Sequence, residues 1–562
     1  MVSKVFKILH KEVGAVNQAA LLLGFFTFLS QILGLVRDRM FTTFLGAGRD
    51  LDIYYTAFQV PDILFNLVAT LVSVTVLLPV LVSLTRKEGL EKAQIFFSQV
   101  FTVFFVLVIV LSVVAFILMP FIAPIVAPGF SAEELQTLVK LSRIILLSPV
   151  LLGFSNLLGS VTQMMRRFVL FAVSPILYNL GILIGIAVFY RWFGLVGLAY
   201  GVVLGALLHM LIQVPALIKD SMLPRLTQTI SWVGIKTLAL TSLPRTVGLT
   251  IHGVTLVVLI AFATTIQEGS VSIFRLSMNL QNVPLTLIGA SFSVAAFPTL
   301  AHDFSNGNTQ KFLRQIRNAG RQIIFWSIPV TVLFIVLRAQ IVRTILGSKA
   351  FTWEDTRLAA ATLAMFVVSV VAQSLILLFT RGFYAAGDTR KPVLINLISS
   401  AFIVMLALLL PIIFDRFEMF SNFFTTILRA QNISGIRVVM LALAYSIGSI
   451  INALLLLYFF KRKYDSKYNI VRFGRTFADS FLGSVIMGLV SYSLLVFLSQ
   501  VFDLASFQGI FFQGLFAGLG AIVVGFVFFY ALGSREFIQL MQSFYHKMRR
   551  VNSVPVTHED LN

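Results

Sequence analysis

The stretch QIFFSQVFTVFFVLVIVLSVVAFILMPFIAPIV (94–126) carries no charged residue. A helix rises 1.5 Å per residue, so about 20 such residues cross the roughly 30 Å hydrocarbon core of a bilayer. In water this segment has no polar face to present, and in lipid it needs none. Working outward, comparable apolar runs recur from residue 15 to residue 533. Apolar length and breaker residues predict fourteen helices: 15–36, 53–84, 94–126, 134–164, 168–190, 193–218, 232–265, 270–301, 320–346, 356–380, 392–414, 436–460, 474–501 and 507–533. The expected fold class is an all-α polytopic membrane protein.

Composition points the same way. Of 562 residues, 58% are hydrophobic and 12% charged, about half the charged fraction of a soluble domain. With no cysteine, a disulfide scaffold, a Cys-ligated zinc or iron–sulfur site and thiol catalysis are all excluded. The six histidines (10, 209, 252, 302, 546, 558) lack ligand spacing, so no metal site is expected. No G-x-x-x-x-G-K-[ST] occurs, and no cofactor or ATP motor of that kind is expected. The N-terminal MVSKVFKILHKEVG is basic but lacks a signal peptide's short apolar core and cleavage site; residues 1–14 read as a retained cytoplasmic lead-in.

The net charge of +20, from 43 Lys and Arg against 23 Asp and Glu, does not mark a nucleic-acid binder, because the charges lie in short clusters between apolar runs. Fourteen spans place the N-terminus, the even-numbered connections and the C-terminus on one side. Those segments hold 28 basic and 10 acidic residues, and the opposite set holds 13 and 11. The Lys/Arg bias puts the first set, with both termini, in the cytoplasm.

An internal repeat is also visible. Pro61, Pro79, Pro175 and Asn179 correspond to Pro284, Pro298, Pro392 and Asn396 at offsets of 223, 219, 217 and 217 residues. The last pairs share a P-x-x-x-N spacing. Two parallel six-helix lobes, 15–218 and 219–462, are expected around a central cavity. Helices 463–533 follow outside the repeat, and a cytoplasmic tail occupies 534–562. Paired bundles of this kind suit rocking-type alternating access.

Ionisable residues within membrane spans are costly and mark function by default. Arg37-Asp38-Arg39 ends the first span, ahead of Gly46-Ala47-Gly48-Arg49-Asp50-Leu51-Asp52. This is either an interfacial anchor or a site where Arg37 holds a phosphate and Asp38 and Asp52 orient it or fix the loop. Asp62 follows Pro61, either at the interface or where a broken helix receives a cation or proton; Asp62 and Asn396 are the candidate ion-coupling positions. Arg245, after Pro244, and Arg275, heading a stripe with Asn279, Gln281 and Asn282, either glue helices together or line a cavity for an anionic, sugar-bearing ligand. Gly197-x-x-x-Gly201-x-x-x-Gly205 permits close helix packing. The phenylalanines of helices 474–501 and 507–533 are lipid-facing filler or an apolar groove for a lipid tail. The longest outer loop, 415–437, is short for a catalytic domain, which argues against a membrane glycosyltransferase using Asp415 and Glu418.

FLSQILGLVRDRMFTTFLGAGRDLDIYYTAFQVPDILFNL (28–67), NLQNVPLTLIGASFSVAAFPTL (279–300) and RGFYAAGDTRKPVLINL (381–397) resemble the MurJ (MviN) family of lipid II flippases within the MOP superfamily, over about residues 15–460. The resemblance implies two six-helix lobes plus two helices forming a hydrophobic groove. It also implies flipping of an undecaprenyl-diphosphate-linked peptidoglycan precursor, lipid II, to the outer leaflet of the bacterial cytoplasmic membrane, with cavity arginines on the diphosphate. An ion gradient, with a monovalent cation as the candidate partner, or the membrane potential is the expected driver. Arg37, Asp38 and Asp52 match the family pattern. Other family arginines fall at Gln31, Phe65, Asn66 and Asn279, so Arg245 and Arg275 are expected to substitute. The alternatives are a flippase for another polyprenyl-linked oligosaccharide, a drug exporter of the same fold, or a non-transporting scaffold.

Overall fold

A computed structural model describes residues 16–71, 74–504, 506–539 and 541–542, and their regular secondary structure is entirely helical. Among these residues, eleven helices are long and apolar enough to cross a membrane, or twelve if the bent pair Trp353–Val367 and Val370–Ala385 is one span. The expected count of fourteen is not confirmed among the described residues. The twelve coincide with the last twelve predicted runs. The first two runs, 15–36 and 53–84, fall on Val16–Phe44 and on Gln59–Leu71 with Val74–Glu88, and each includes residues outside the described set.

The quoted stretch lies in Leu90–Val126, whose exposed residues include Val110, Ile117, Phe121 and Ile125, the last 74% exposed. Such a surface would aggregate in water and matches hydrocarbon in a bilayer. The next helix, Ala132–Ile145, begins at a capping box, where the Ser131 hydroxyl accepts from the Glu134 N–H and the Glu134 carboxylate accepts from the Ser131 N–H. After Pro284, which lacks an N–H, the helix widens into a π turn at Leu285–Ala290.

The chain forms two compact units. The first comprises residues 1–280, 345–362 and 389–448. Its core gathers Leu77, Leu81, Phe97, Phe104, Leu157 and Val161. Here Phe168–Ile184 packs on Leu195–Leu211 through glycines: a Cβ on Gly181 would collide with the backbone of Gly205, and one on Gly201 with that of Gly185. The Gly197–Gly205 spacing announced one side of this contact, and Gly181 and Gly185 supply the other.

The second unit comprises residues 281–344, 363–388 and 449–562. Gly474–Leu498 and Phe507–Ala531 pack on Thr309–Val336 around Phe325, Leu333, Met487, Ala521 and Phe529. Phe529 is core, whereas Phe511, Phe512, Phe516 and Phe526 are exposed. At one end of this group the buried Glu536 carboxylate accepts from Arg321 Nε at 2.6 Å and the Thr476 hydroxyl at 2.8 Å, joining three segments through one acid.

Candidate functional site

All the geometry described here lies within the first unit. After Val16–Phe44 the chain turns at Gly46, whose positive φ of 66° suits glycine, and re-enters a helix at Arg49–Ala57. Asp52 on that helix is fully buried. Its carboxylate accepts from the N–H groups of Gly269 and Ser272, both at 2.7 Å, and from the Ser272 hydroxyl at 2.6 Å. Those N–H groups open the helix Ser270–Pro284, and the first N–H groups of a helix have no partner within it. Asp52 is therefore a helix cap supplied from 217 residues away. Burial pushes its carboxyl up to about 7, with the Ser272 and Gly269 donors and the Arg49 charge pulling the other way. Nearby, the Arg49 N–H donates to Glu268, and its guanidinium pairs with Glu134 at 3.0 Å.

About two helical turns before the end of Val16–Phe44, Arg37 and Asp38 form a network. Arg37 donates to Asp38 Oδ1 from Nε at 3.0 Å and Nη2 at 2.8 Å, and from Nη1 to Asn179 Oδ1 at 3.3 Å. Asp38 Oδ2 accepts from Asn279 Nδ2 at 3.0 Å. Asn179 in turn donates to the Ser30 hydroxyl at 3.2 Å and the Pro175 carbonyl at 3.2 Å. The P-x-x-x-N spacing places Asn179 one turn beyond that carbonyl. Asp38 is 1% exposed and acts through its neighbours. Arg37 keeps 22% of its side chain exposed and is the member that can meet a ligand.

A second cluster surrounds a cavity of about 200 Å³ lined by Gln59, Asp62, Phe65, Asn66, His252 and Arg275, among others. Arg275 Nη2 lies 3.6 Å from Asp62 Oδ2. That spacing makes a loose ion pair, longer than a charge-assisted hydrogen bond. Tyr55 is within Coulombic range of Arg37, Asp38 and Arg275, and Tyr178 of Arg37 and Asp62. The two clusters thus share one electrostatic neighbourhood, with guanidinium groups able to meet an oxyanion.

The structure therefore brings Arg37, Asp38 and Asn279 into one network and Arg275 and Asp62 into the cavity. Asp52 is committed to its cap. Arg245 lies on Trp232–Thr264, two turns before His252, and its side chain is outside the described set. Asn396 is half-buried on Arg390–Arg416 and is not among the cavity-lining residues. The sequence pattern marked Asn179 only as a repeat position and His252 only as a histidine without ligand spacing, and gave no signal for Ser30, Tyr55 or Gln59. The P-x-x-x-N spacing was the available signal for Asn179. Phe65 and Asn66 line the cavity.

A model of the family described as "Lipid II flippase MurJ" matches residues 41–516. The chain is 25% identical over 388 residues to the probable lipid II flippase MurJ of Rickettsia prowazekii, covering 68% of this chain and 76% of that one. It is 23% identical over 385 residues to the lipid II flippase MurJ of Burkholderia cenocepacia, covering 67% and 74%. Among solved structures, a lipid II flippase MurJ in an inward closed conformation aligns with a TM-score of 0.72 at 22% identity, covering 91% of this chain and 99% of that one. An inward-facing multidrug resistance MATE transporter of the MOP superfamily aligns with a TM-score of 0.63 at 16% identity, covering 78% and 95%. The structural likenesses speak to fold, and the family model covers most of the chain. This multi-pass membrane protein belongs to the lipid II flippase MurJ family.

Proposed function

We propose that this chain flips lipid II from the cytoplasmic to the outer leaflet of the bacterial cytoplasmic membrane by alternating access, as a transporter rather than an enzyme. The observation that carries the reading is the placement of Arg37 and Arg275, from the two halves of the sequence, in one electrostatic neighbourhood. A diphosphate offers several oxyanions to two guanidinium forks, a better match than a single phosphate ester. Asp38, Asn179 and Asn279 hold Arg37 in place, and Arg245 contributes from the helix that carries His252. The lobes 15–218 and 219–462 rock about the bound head group while helices 463–533 accommodate the prenyl tail. Both termini are cytoplasmic, in keeping with the Lys/Arg bias. Moving one charge across 100 mV is worth about 2.3 kcal/mol, enough to bias transport of a polyanion. Asp62 and Asn396 are the positions for a coupling monovalent cation.

The test is complementation of cells depleted of their own flippase. The wild-type chain should rescue growth, and an Arg37→Ala/Arg275→Ala double variant, expressed to the same level in the membrane, should not. Full rescue by the double variant sinks the assignment. A second reading, transport of a different polyprenyl-diphosphate oligosaccharide, draws on Phe65 and Asn66 standing in the cavity where the family carries arginines. Native mass spectrometry of the co-purified lipid separates the two by head-group mass.

A further inference from the structure

We infer that the Tyr55 hydroxyl is a ligand-binding group that donates a hydrogen bond to a phosphate oxygen of the diphosphate held by Arg37 and Arg275. The inference rests on the reading above and adds a residue to it.

Tyr55 lies on Arg49–Ala57 and is 8% exposed. Its ring packs beside Phe41 and Tyr54, with centroids at 6.0 and 5.7 Å. The hydroxyl is buried and has no hydrogen-bond partner among the described residues. A phenylalanine would fill the same volume without that cost, since an unpaired buried hydroxyl destabilises the fold. The ring therefore explains itself by packing, and the oxygen does not.

Its surroundings say what the oxygen faces. Arg37, Asp38 and Arg275 all lie within its Coulombic range. Asp38 accepts from Arg37 and Asn279 and leaves Tyr55 aside. What remains is an unused neutral donor beside two guanidinium groups and the carboxylates that pair with them, placed to meet an oxyanion that displaces the loose Asp62 contact. The Tyr55 carbonyl accepts from Gln59 Nε2 at 3.1 Å across the Phe58 junction, so Tyr55 stands beside the start of Gln59–Leu71, the helix that lines the cavity with Gln59, Asp62 and Asn66. Arg37 already divides its donors between Asp38 and Asn179, so a diphosphate entering there needs donors from elsewhere. A tyrosine supplies one without altering the charge balance.

The experiment uses the full-length protein in nanodiscs titrated with undecaprenyl diphosphate, with the bound fraction read by native mass spectrometry. Tyr55→Phe keeps the ring and removes only the hydroxyl. It should weaken binding about tenfold, the scale of one hydrogen bond to a charged group. The melting temperature of the ligand-free variant should be unchanged or higher, because an unpaired polar atom has been deleted. Wild-type affinity in Tyr55→Phe, with Arg37→Ala weakened in the same titration, overturns the inference and leaves the diphosphate reading standing. Weaker binding together with a lower melting temperature overturns it in favour of a structural hydroxyl. If the wild-type chain binds no diphosphate lipid, or Arg37→Ala binds as wild type, the diphosphate reading fails and the inference falls with it.

Discussion

Replacing Asp52 with alanine should release the start of Ser270–Pro284 from Arg49–Ala57, and the size of the effect follows from the hydrogen bonds lost. The carboxylate accepts three, from the Gly269 and Ser272 N–H groups and the Ser272 hydroxyl. The hydroxyl can turn to another acceptor, but two backbone donors are left unpaired at roughly 1–3 kcal/mol each while the contact stays closed. Removing the buried carboxyl relieves its own desolvation cost, which brings the net toward the low end, about 2 kcal/mol. That corresponds to about a thirty-fold larger population in which this end has parted. The chain has no cysteine, so Ser270→Cys creates a unique thiol at a fully buried position. In nanodiscs, where both membrane faces are accessible, its maleimide labelling rate reports the open population when reclosing is fast. Adding Asp52→Ala should raise that rate about thirty-fold, and adding Asp50→Ala, at an exposed neighbour, should leave it unchanged. A rise below twofold, or an equal rise in both variants, would refute the cap as what holds these segments together.

Three further outcomes follow from the same contacts. Asp62 pairs with Arg275, so Asp62→Asn should raise the affinity for undecaprenyl diphosphate more than for singly charged phosphatidylglycerol, widening the ratio by about fivefold, because the relieved repulsion scales with ligand charge; an unchanged ratio in competitive lipid binding counts against that role. Because burial pushes the Asp52 carboxyl up to about 7, the folded state holds this proton more tightly than the unfolded chain, where an aspartate releases it near 4. The stability it confers is complete below about pH 4 and lost as pH rises through about 7, so Asp52→Asn should flatten that part of the melting-temperature profile. Glu536→Ala leaves Arg321 and Thr476 without their shared acceptor and should destabilise the protein by about 3 kcal/mol, read as a lower melting temperature in detergent than for Glu88→Ala at an exposed position.

The membrane-spanning helices were legible because hydrocarbon imposes one rule on every span, so the apolar runs reach the fold without tertiary knowledge. The breakdown came within 53–84, where one continuous run predicts one helix and the chain is interrupted at Phe58, between Arg49–Ala57 and Gln59–Leu71. Hydropathy carries no information about such breaks. In the site, Arg37 and Arg275 stood out because charge in an apolar run is conspicuous. Asp52 was equally conspicuous and took a structural role, since its partners lie over two hundred positions away and cap geometry of that reach has no local pattern. Tyr55 was invisible for the opposite reason: an aromatic among apolar neighbours reads as packing, and its hydroxyl acquires meaning only once Arg37 and Arg275 surround it.

The glycine contact between Phe168–Ile184 and Leu195–Leu211 bears on how a load at the site is carried. Asn179, which receives Arg37, sits two residues before Gly181, where the two backbones meet with no side chain between them. A joint without intervening side chains has no rotamers to absorb strain. A pull on Arg37 would thus reach a two-helix beam through Asn179, and an anion held there as proposed would move that beam as a unit instead of bending a single side chain.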